Sequence, residues 1–359
     1  MNSKAKINLN HLVENINYLK LKVSNSEIFP VVKSNAYGHG VVEVVKKLSD
    51  NLIRTVCVAT NNEIIQILNE DIKIDIFHLG KIVLNDNVMR KNIIFTINSL
   101  KDINYINEKC SKKKYQVRCH IKVDTGMKRL GCEISEFKDI YELALESKYI
   151  RLEGVYSHLS SADDIKSSHN KKQIKLFHQI INQIKNKNIK FHLLNSAGIF
   201  NYGKFSFDIV RTGLSIYGIS PNKKIDKNLK PVMKLTAPVV LFKNIKKGDK
   251  IGYGCSYTAN KNLKMAVIQC GYGDGIPLNF SNKGHVYYKN FIFPIIGRVS
   301  MDLICVDIST FNMNEEIKSV EIWGGDNKFS RLEKIAEKFK TIPYIYLTGL
   351  TNRVERIYV

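Results

Sequence analysis

The chain lacks any apolar run long enough to span a bilayer. Residues 1–20 alternate polar and apolar side chains without the apolar core of a secretion signal. Internal repeats and low-complexity tracts are absent too. Cysteine is present but unorganised. The seven, at 57, 110, 119, 132, 255, 270 and 305, form no CxxC pair, and no histidine cluster accompanies them. That pattern argues against a disulfide framework or a structural zinc site, and it fits a reducing cytoplasm. No metal is expected. Acidic residues are the scarce charge: 33 Asp+Glu stand against 55 Lys+Arg, a net +22. An excess of this size can signal nucleic-acid or membrane binding. Here it is spread along the whole chain, and the densest short run is the three lysines at 112–114. With Ile and Asn also abundant, a general compositional bias is the simpler account. Neither a nucleic acid nor a membrane is expected as a partner.

What is present is ordinary globular material. A hydrophobic content of 44% over 359 residues supports a large core and about two domains. The first part alternates short apolar segments with amphipathic ones. Strands are expected at 28–33, 54–59, 74–78, 93–97, 116–123, 152–158, 190–194 and 207–211. Helices are expected at 10–23, 40–50, 61–70, 99–110, 134–147 and 169–186, the last with Ile174, Phe177, Ile180, Ile181 and Ile184 on one stripe. Eight strands with interleaved helices suggest an α/β fold of the (β/α)8, TIM-barrel type. A doubly wound sheet fits the same alternation. After Gly218 the pattern changes. Residues 221–230 read as a polar linker, followed by strands at 235–244, 265–270, 285–288, 291–296, 303–308 and 320–323. Turn signals stand at Lys247-Gly248-Asp249 and Gly324-Gly325-Asp326, and one helix is expected at 331–340. The expected division is a barrel domain, 1–225, and a mostly β C-terminal domain, 226–359.

In a barrel of this kind, function sits where strands end. Four polar clusters fall there. In Val31-Val32-Lys33-Ser34-Asn35-Ala36-Tyr37-Gly38-His39-Gly40 an apolar strand delivers Lys33 to its C-terminal edge, where desolvation lowers an amine's pKa and makes it nucleophilic. A solvated strand-end lysine is the plain alternative. In Lys122-Val123-Asp124-Thr125-Gly126-Met127-Lys128-Arg129-Leu130-Gly131, alternation places His120, Lys122 and Asp124 on one strand face. If that face is the barrel interior, Lys122 needs a partner or a modification. Arg129, just past the strand, suits a carboxylate or another oxyanion. Both are equally compatible with structural ion pairs. Asn195-Ser196-Ala197-Gly198 and Arg211-Thr212-Gly213-Leu214 follow the seventh and eighth strands, where barrels often bind phosphate. Arg211 is alternatively an ion-pair residue, or a donor to a ring nitrogen. His158 ends the sixth strand, in a supporting or purely structural role. In the β-rich part, residues 253–259, 271–275 and 297–302 stand out, although each alone reads as a turn with packed aromatics.

Taken together and in this order, these segments resemble the alanine racemase family, pyridoxal-phosphate enzymes with a (β/α)8 barrel and a C-terminal β domain. The resemblance covers nearly the whole chain. It implies pyridoxal 5'-phosphate as cofactor and interconversion of L- and D-alanine by two bases, supplying D-amino acid for cell-wall peptidoglycan. By this resemblance Lys33 is the Schiff-base lysine and one base. Tyr257 is the opposed base, contributed to the partner subunit's active site in a homodimer, as is Met301. Arg211 faces the pyridine nitrogen, and Arg129 lies near the cofactor's phenolic oxygen and the substrate carboxylate. Tyr37, Ser196, Gly213 and Leu214 contact the phosphate, and His158 supports the arginine–tyrosine network. Met301 and Tyr272 line the substrate entrance, and Lys122 matches a lysine that many members carbamylate. One departure concerns substrate. Where the family commonly has a tyrosine before Arg-Val-Pro-Arg, this chain reads Thr351-Asn352-Arg353-Val354-Glu355-Arg356. The smaller Asn352 offers room and an amide for a hydroxymethyl group, so serine is the alternative substrate. A decarboxylase of basic amino acids shares the domain pairing, but the 253–259 segment and the Asp124-Thr125-Gly126-Met127 motif argue against it. A single-barrel pyridoxal-phosphate carrier would lack the long β-rich second part.

Overall fold

The structure is a computed structural model and describes residues 2–23, 25–222, 224–311, 316–325 and 328–359. Of eight short strands, Glu27–Pro30, Thr55–Val58, Asp75–His78, Ile93–Ile97, Val117–Lys122, Ile150–Tyr156, Lys190–His192 and Ile209–Thr212, the second to eighth pair in parallel in chain order, and the first pairs with the eighth. The remaining seam closes where Val31 bridges Cys57 and the Val32 N–H donates to the Cys57 carbonyl at 2.9 Å. This is the expected barrel, with the doubly wound alternative set aside. Both faces of the strands are covered, which is why they read as continuous apolar runs. Helices Val41–Asp50, Asn61–Leu68, Leu100–Lys113, Phe137–Glu146 and Ser168–Ile181 fill the gaps between strands.

Inside the barrel the side chains form a floor of rings. Phe77 lies 5.4 Å from Tyr156 and 4.9 Å from His120, and Tyr156 stacks on His192 at 4.6 Å and 12°. At the opposite end of the strands from the C-terminal mouth, Arg118 bonds to Glu153 at 2.9 Å and Asp75 at 2.6 Å, so that charge is internally matched.

The second unit comprises residues up to Leu12, Tyr37–Gly40 and Tyr217–Val359. Its spine is the 13-residue strand Met233–Ile245. Over its first half this strand pairs with Ser319–Trp323, and over its second half with Leu263–Ile268, the two halves separated by a bulge between Val239 and Leu241. A bulge bends a strand, and the bend brings the sheet back on itself. Two strands absent from the sequence reading extend this sheet. Lys4–Ile7 runs antiparallel to Met233–Ile245 and parallel to Glu355–Tyr358. Four-residue edge strands carry too little alternation to stand out in a sequence. Two short helices, Ser196–Tyr202 and Pro343–Thr348, also went unforeseen. Of the turn expected at 324–326, Gly324 does adopt a positive φ of 81°, while Asp326 lies outside the described residues. Among the described residues, no helix is long and apolar enough to cross a membrane.

Candidate active site

The first barrel strand ends earlier than the sequence suggests. Lys33 stands past its end and opens a tight turn in which Ser34, Asn35, Ala36 and Tyr37 all have φ between 52° and 54°. L-residues pay roughly 1–2 kcal/mol each for this left-handed region, and they visit it singly as a rule. The turn is held by specific bonds. The Ala36 N–H donates to the Val32 carbonyl at 2.8 Å, and the Val41 N–H to Asn35 Oδ1 at 2.8 Å. The Ser34 N–H donates to Glu63 Oε1 at 2.7 Å. Lys33 is half-buried, and burial is the main cause that lowers its pKa. Arg129 lowers it further, while Glu63 and Cys57 act in the opposite direction.

Lys122 comes from the fifth strand and faces the barrel interior, 6% exposed. Burial first, then Arg211 and Arg129, push its pKa down to about 8. No carboxylate lies within ion-pair distance of it among the described residues, and its Nζ lies 5.6 Å from the centre of the Tyr156 ring. Arg211, on the eighth strand and 3% exposed, stacks over the same ring at 4.8 Å. Its guanidinium donates to His192 Nδ1 at 2.6 Å and to the Ser157 carbonyl at 2.6 Å. Because arginine only donates, His192 must accept at Nδ1 and carry its proton on Nε2, which faces His120 Nδ1 at 2.8 Å. Burial and Arg211 hold the His192 ring well below the ordinary histidine range, so it is neutral. Each tautomer in this row is thereby fixed.

His158 follows the sixth strand. Its Nδ1 lies 3.3 Å from Arg211 and its Nε2 3.4 Å from the Asn195 amide. Burial, then Arg211, holds it well below the histidine range. A neutral ring accepts from only one of those two donors. Arg129 rides on the loop after the fifth strand. That loop is closed by Asp124, whose Oδ1 accepts from the Gly126 and Lys128 N–H groups at 2.7 and 3.1 Å. Gly131 makes the return at φ 117°, where a Cβ would sit 2.8 Å from the Asp124 nitrogen. After the seventh strand, Asn195 caps the next helix through its side chain, and buried Ser196 accepts from the Gly213 and Ser215 N–H groups at 3.2 and 3.4 Å. Leu214 opens the short turn Leu214–Tyr217. Serine hydroxyl and early-turn N–H groups are suitable donors to a phosphate.

The barrel's C-terminal mouth thus gathers Lys33, Lys122, Arg129, His158, Ser196, Arg211, Gly213 and Leu214, eight of the residues singled out from the sequence. Its charges are overwhelmingly cationic, and that suits a ligand carrying phosphate and carboxylate groups. A phosphorylated aldehyde fits: the amine of Lys33 can attach the carbonyl, and the serine and backbone N–H donors can hold the phosphate.

The other candidates belong to the second unit. Tyr37 packs its ring 5.1 Å from Tyr217 and 5.5 Å from Tyr344. Tyr257 lies on a two-residue strand paired with Lys250–Ile251 and packs beside Ile251, Ala259 and Leu263. Tyr272, Met301 and Asn352 are exposed on three loops tied together. The Tyr272 and Gly273 N–H groups donate to the Ser300 and Met301 carbonyls at 3.0 and 2.9 Å, and Arg353 reaches Asp274 at 3.3 Å and Asp302 at 2.6 Å.

Sequence reasoning missed Glu63, Gln173 and Tyr156. Glu63 carried a readable signal, the Thr60-x-x-Glu63 spacing of a capping box. Gln173 is fully buried, accepting from the Ser160 N–H at 3.0 Å and donating to the His158 carbonyl at 2.9 Å. Its signal was a polar residue one turn before Phe177 on an apolar helix face.

Fold and mouth together define a barrel protein built around a reactive amine in a cationic site, joined to a β domain. The family relationship is more specific. The model of the alanine racemase N-terminal domain matches residues 7–221, and that of the alanine racemase C-terminal domain matches residues 232–358. The alanine racemase of Clostridium kluyveri is 32% identical over 98% of this chain and 93% of its own length. That of Halothermothrix orenii is 33% identical over 99% and 96%. Among solved structures, alanine racemase from Bartonella henselae with covalently bound pyridoxal phosphate aligns with a TM-score of 0.89 at 32% identity, over 100% of both chains. Alanine racemase of Clostridium difficile 630 aligns at 0.90 and 30%, over 100% and 96%. The chain belongs to the alanine racemase family.

Proposed function

We propose that this chain is a pyridoxal-phosphate-dependent alanine racemase working by a two-base mechanism, with Lys33 as the covalent anchor of the cofactor. The observation that carries this reading is the half-buried Lys33 amine, its pKa lowered, within a mouth that also holds Lys122, Arg129 and Arg211. Bound pyridoxal phosphate supplies an electron sink that acidifies the α-hydrogen of a joined amino acid. The protein's residues do the rest. Ser196, with the Gly213 and Leu214 N–H groups and Tyr37, holds the phosphate. Arg211 donates toward the pyridine nitrogen, and guanidinium keeps its own proton. Arg129 orients the substrate carboxylate. Lys33 moves a proton at one face of the α-carbon and Tyr257, from a second copy of the chain, at the other. His158 supports Arg211 and the tyrosine. Met301, also from the second copy, and Tyr272 restrict access to small side chains.

Several finer points belong to the same reading. The functional division is a cofactor-binding barrel domain, 1–225, with a β domain, 226–359. The protein acts in the cytoplasm as a homodimer, and its D-alanine supplies cell-wall peptidoglycan. Lys122 reacts with carbon dioxide, releasing a proton and leaving a carbamate anion beside Arg129. Its depressed pKa supports this, because the free amine is the form that reacts. Asn352 makes serine a second substrate, with the decarboxylation of basic amino acids the less favoured alternative.

Borohydride reduction of the cofactor-loaded protein, followed by peptide mass spectrometry, tests the central claim. The adduct is expected on Lys33, with the absorbance of the bound aldehyde lost in Lys33→Ala. An adduct on another lysine overturns it. Mixing inactive Lys33→Ala and Tyr257→Phe chains should restore part of the activity, since one site of the mixed dimer is intact; no recovery excludes a shared site. Serine turnover absent from both wild type and Asn352→Tyr removes the serine reading.

A further inference from the structure

We propose that Glu63 is a positioning residue for Lys33: its carboxylate is the clamp that holds the left-handed turn behind the lysine, and with it the placement of the amine. This rests on Lys33 being the cofactor lysine, and it adds a residue that the sequence reading did not include.

The argument begins with the turn. Ser34 to Tyr37 occupy, four in succession, a backbone region that only Asn35 among these residue types adopts readily. Such a conformation persists only where surrounding bonds over-determine it. Some of those bonds are local, among them Ala36 to Val32, Val41 to Asn35, and His39 Nδ1 to the Tyr37 carbonyl at 3.0 Å. A further bond comes from a different element. Glu63 stands at the third position of helix Asn61–Leu68, which follows the second barrel strand. One carboxylate oxygen accepts from the Ser34 N–H at 2.7 Å, while the other accepts from the Ala59 and Thr60 N–H groups at 2.7 and 3.2 Å. A single side chain therefore fastens the residue after Lys33 to the end of the neighbouring strand.

The choice of residue type is informative. An ordinary capping box needs only one acceptor, and glutamine serves there as well as glutamate. Glu63 takes three N–H donors on two oxygens. Glutamine offers one oxygen and would turn its own N–H groups toward an amide N–H, leaving a donor without an acceptor. Only the carboxylate satisfies the arrangement. Its charge has a second effect. The groups that face Lys33 are Arg129 and Lys122 from the fifth strand and its loop, His158 after the sixth strand, Cys57 on the second strand, and Glu63. Glu63 is the one carboxylate among them, and it favours the protonated amine against burial and the cations. Removing its charge moves the Lys33 titration to lower pH.

Two readouts separate this role from helix capping, both on the full chain. Amide hydrogen exchange reports the Ser34 N–H. Reductive methylation of the cofactor-stripped chain across a pH series, with peptide mass spectrometry, reports the protonation of Lys33, and the exposed lysines serve as internal reference. In Glu63→Gln, Ser34 is expected to exchange about tenfold faster, the equivalent of one lost hydrogen bond, and the Lys33 profile moves to lower pH. Glu63→Asp retains the charge but is too short to span both sites, so it releases Ser34 and keeps most of the pH profile. Thr60→Ala removes the ordinary cap of the same helix, destabilising it while leaving Ser34 and Lys33 as in wild type. The proposal is overturned if Glu63→Gln leaves both readouts unchanged, or if Thr60→Ala reproduces its effects. A borohydride adduct missing from Lys33 in the wild type would instead overturn the cofactor assignment, whatever the clamp does.

Discussion

Lys122 shows how a single buried cation shapes the site. From the sequence it required a partner or a modification, because alternation placed it on an interior face. The structure gives it a ring face rather than a carboxylate, and a pKa near 8 against an ordinary 10.5. Between those two values the unfolded chain holds a proton that the folded chain has released, so this residue makes stability rise with pH from about 8 toward 10.5. Below pH 8 the penalty is present in full, on the order of 3–4 kcal/mol. With carbon dioxide excluded, Lys122→Met should therefore be more stable than wild type to urea at pH 7. The gap should close by pH 10. Equal stability of the two proteins at pH 7 would remove the argument. Arg211 is the contrasting case. It too is a buried cation, but carbonyl and imidazole acceptors receive its donors, and it cannot escape by losing its proton.

At the scale of elements, helix Ser168–Ile181 works as a bracket rather than as packing alone. Its apolar stripe buries Ile174, Phe177 and Ile180, and its first turns reach outward: His169 to the Gly126 carbonyl at 2.9 Å, and Gln173 to the Ser160 and His158 backbone. It thereby secures the loops after both the fifth and sixth strands, which carry Arg129 and His158. Gln173→Leu keeps the volume and strands those backbone groups, so we expect about 2–3 kcal/mol of lost stability in urea unfolding, with an increase in KM as the Arg129 loop loosens. A loss under 0.5 kcal/mol, within the usual range of an inconsequential substitution, would show that water replaces the side chain. Elements of this kind divide what sequence can and cannot tell. The strands that lead to Lys33 and carry Lys122 and Arg211 were legible because their apolar runs are continuous and their polar ends abrupt. The left-handed turn after Lys33 was not, since in Ser-Asn-Ala-Tyr only the asparagine adopts it readily and a glutamate 29 residues away holds it in place. The strands Lys4–Ile7 and Glu355–Tyr358 exist because they complete each other's pairing across almost the entire chain, a reason that no local window contains.

Across the whole molecule most thiols are kept apart from solvent. Five of the seven cysteines are buried, Cys305 is partly so, and Cys255 is exposed. Burial pushes Cys57, Cys132 and Cys270 up to about 12 and Cys110 to about 11, which suppresses the reactive thiolate. A chromogenic disulfide reagent at pH 8 should therefore find one fast thiol in the native protein and all seven in denaturant. More than two reacting before unfolding would contradict the packing described above. The distribution of paired strands has another consequence, which concerns time rather than structure. Lys4–Ile7 precedes every barrel strand in the chain, yet its antiparallel partner begins at Met233 and its parallel partner at Glu355. That strand must wait for partners far along the chain, while the second to eighth barrel strands, each pairing with the next in sequence, need only their immediate neighbours. Long closures of this kind come late in folding. In pulse-labelled refolding, the Ala5 and Ile7 amides should gain protection after those of Ile94 and Ile121, and early protection at Ala5 would refute that order.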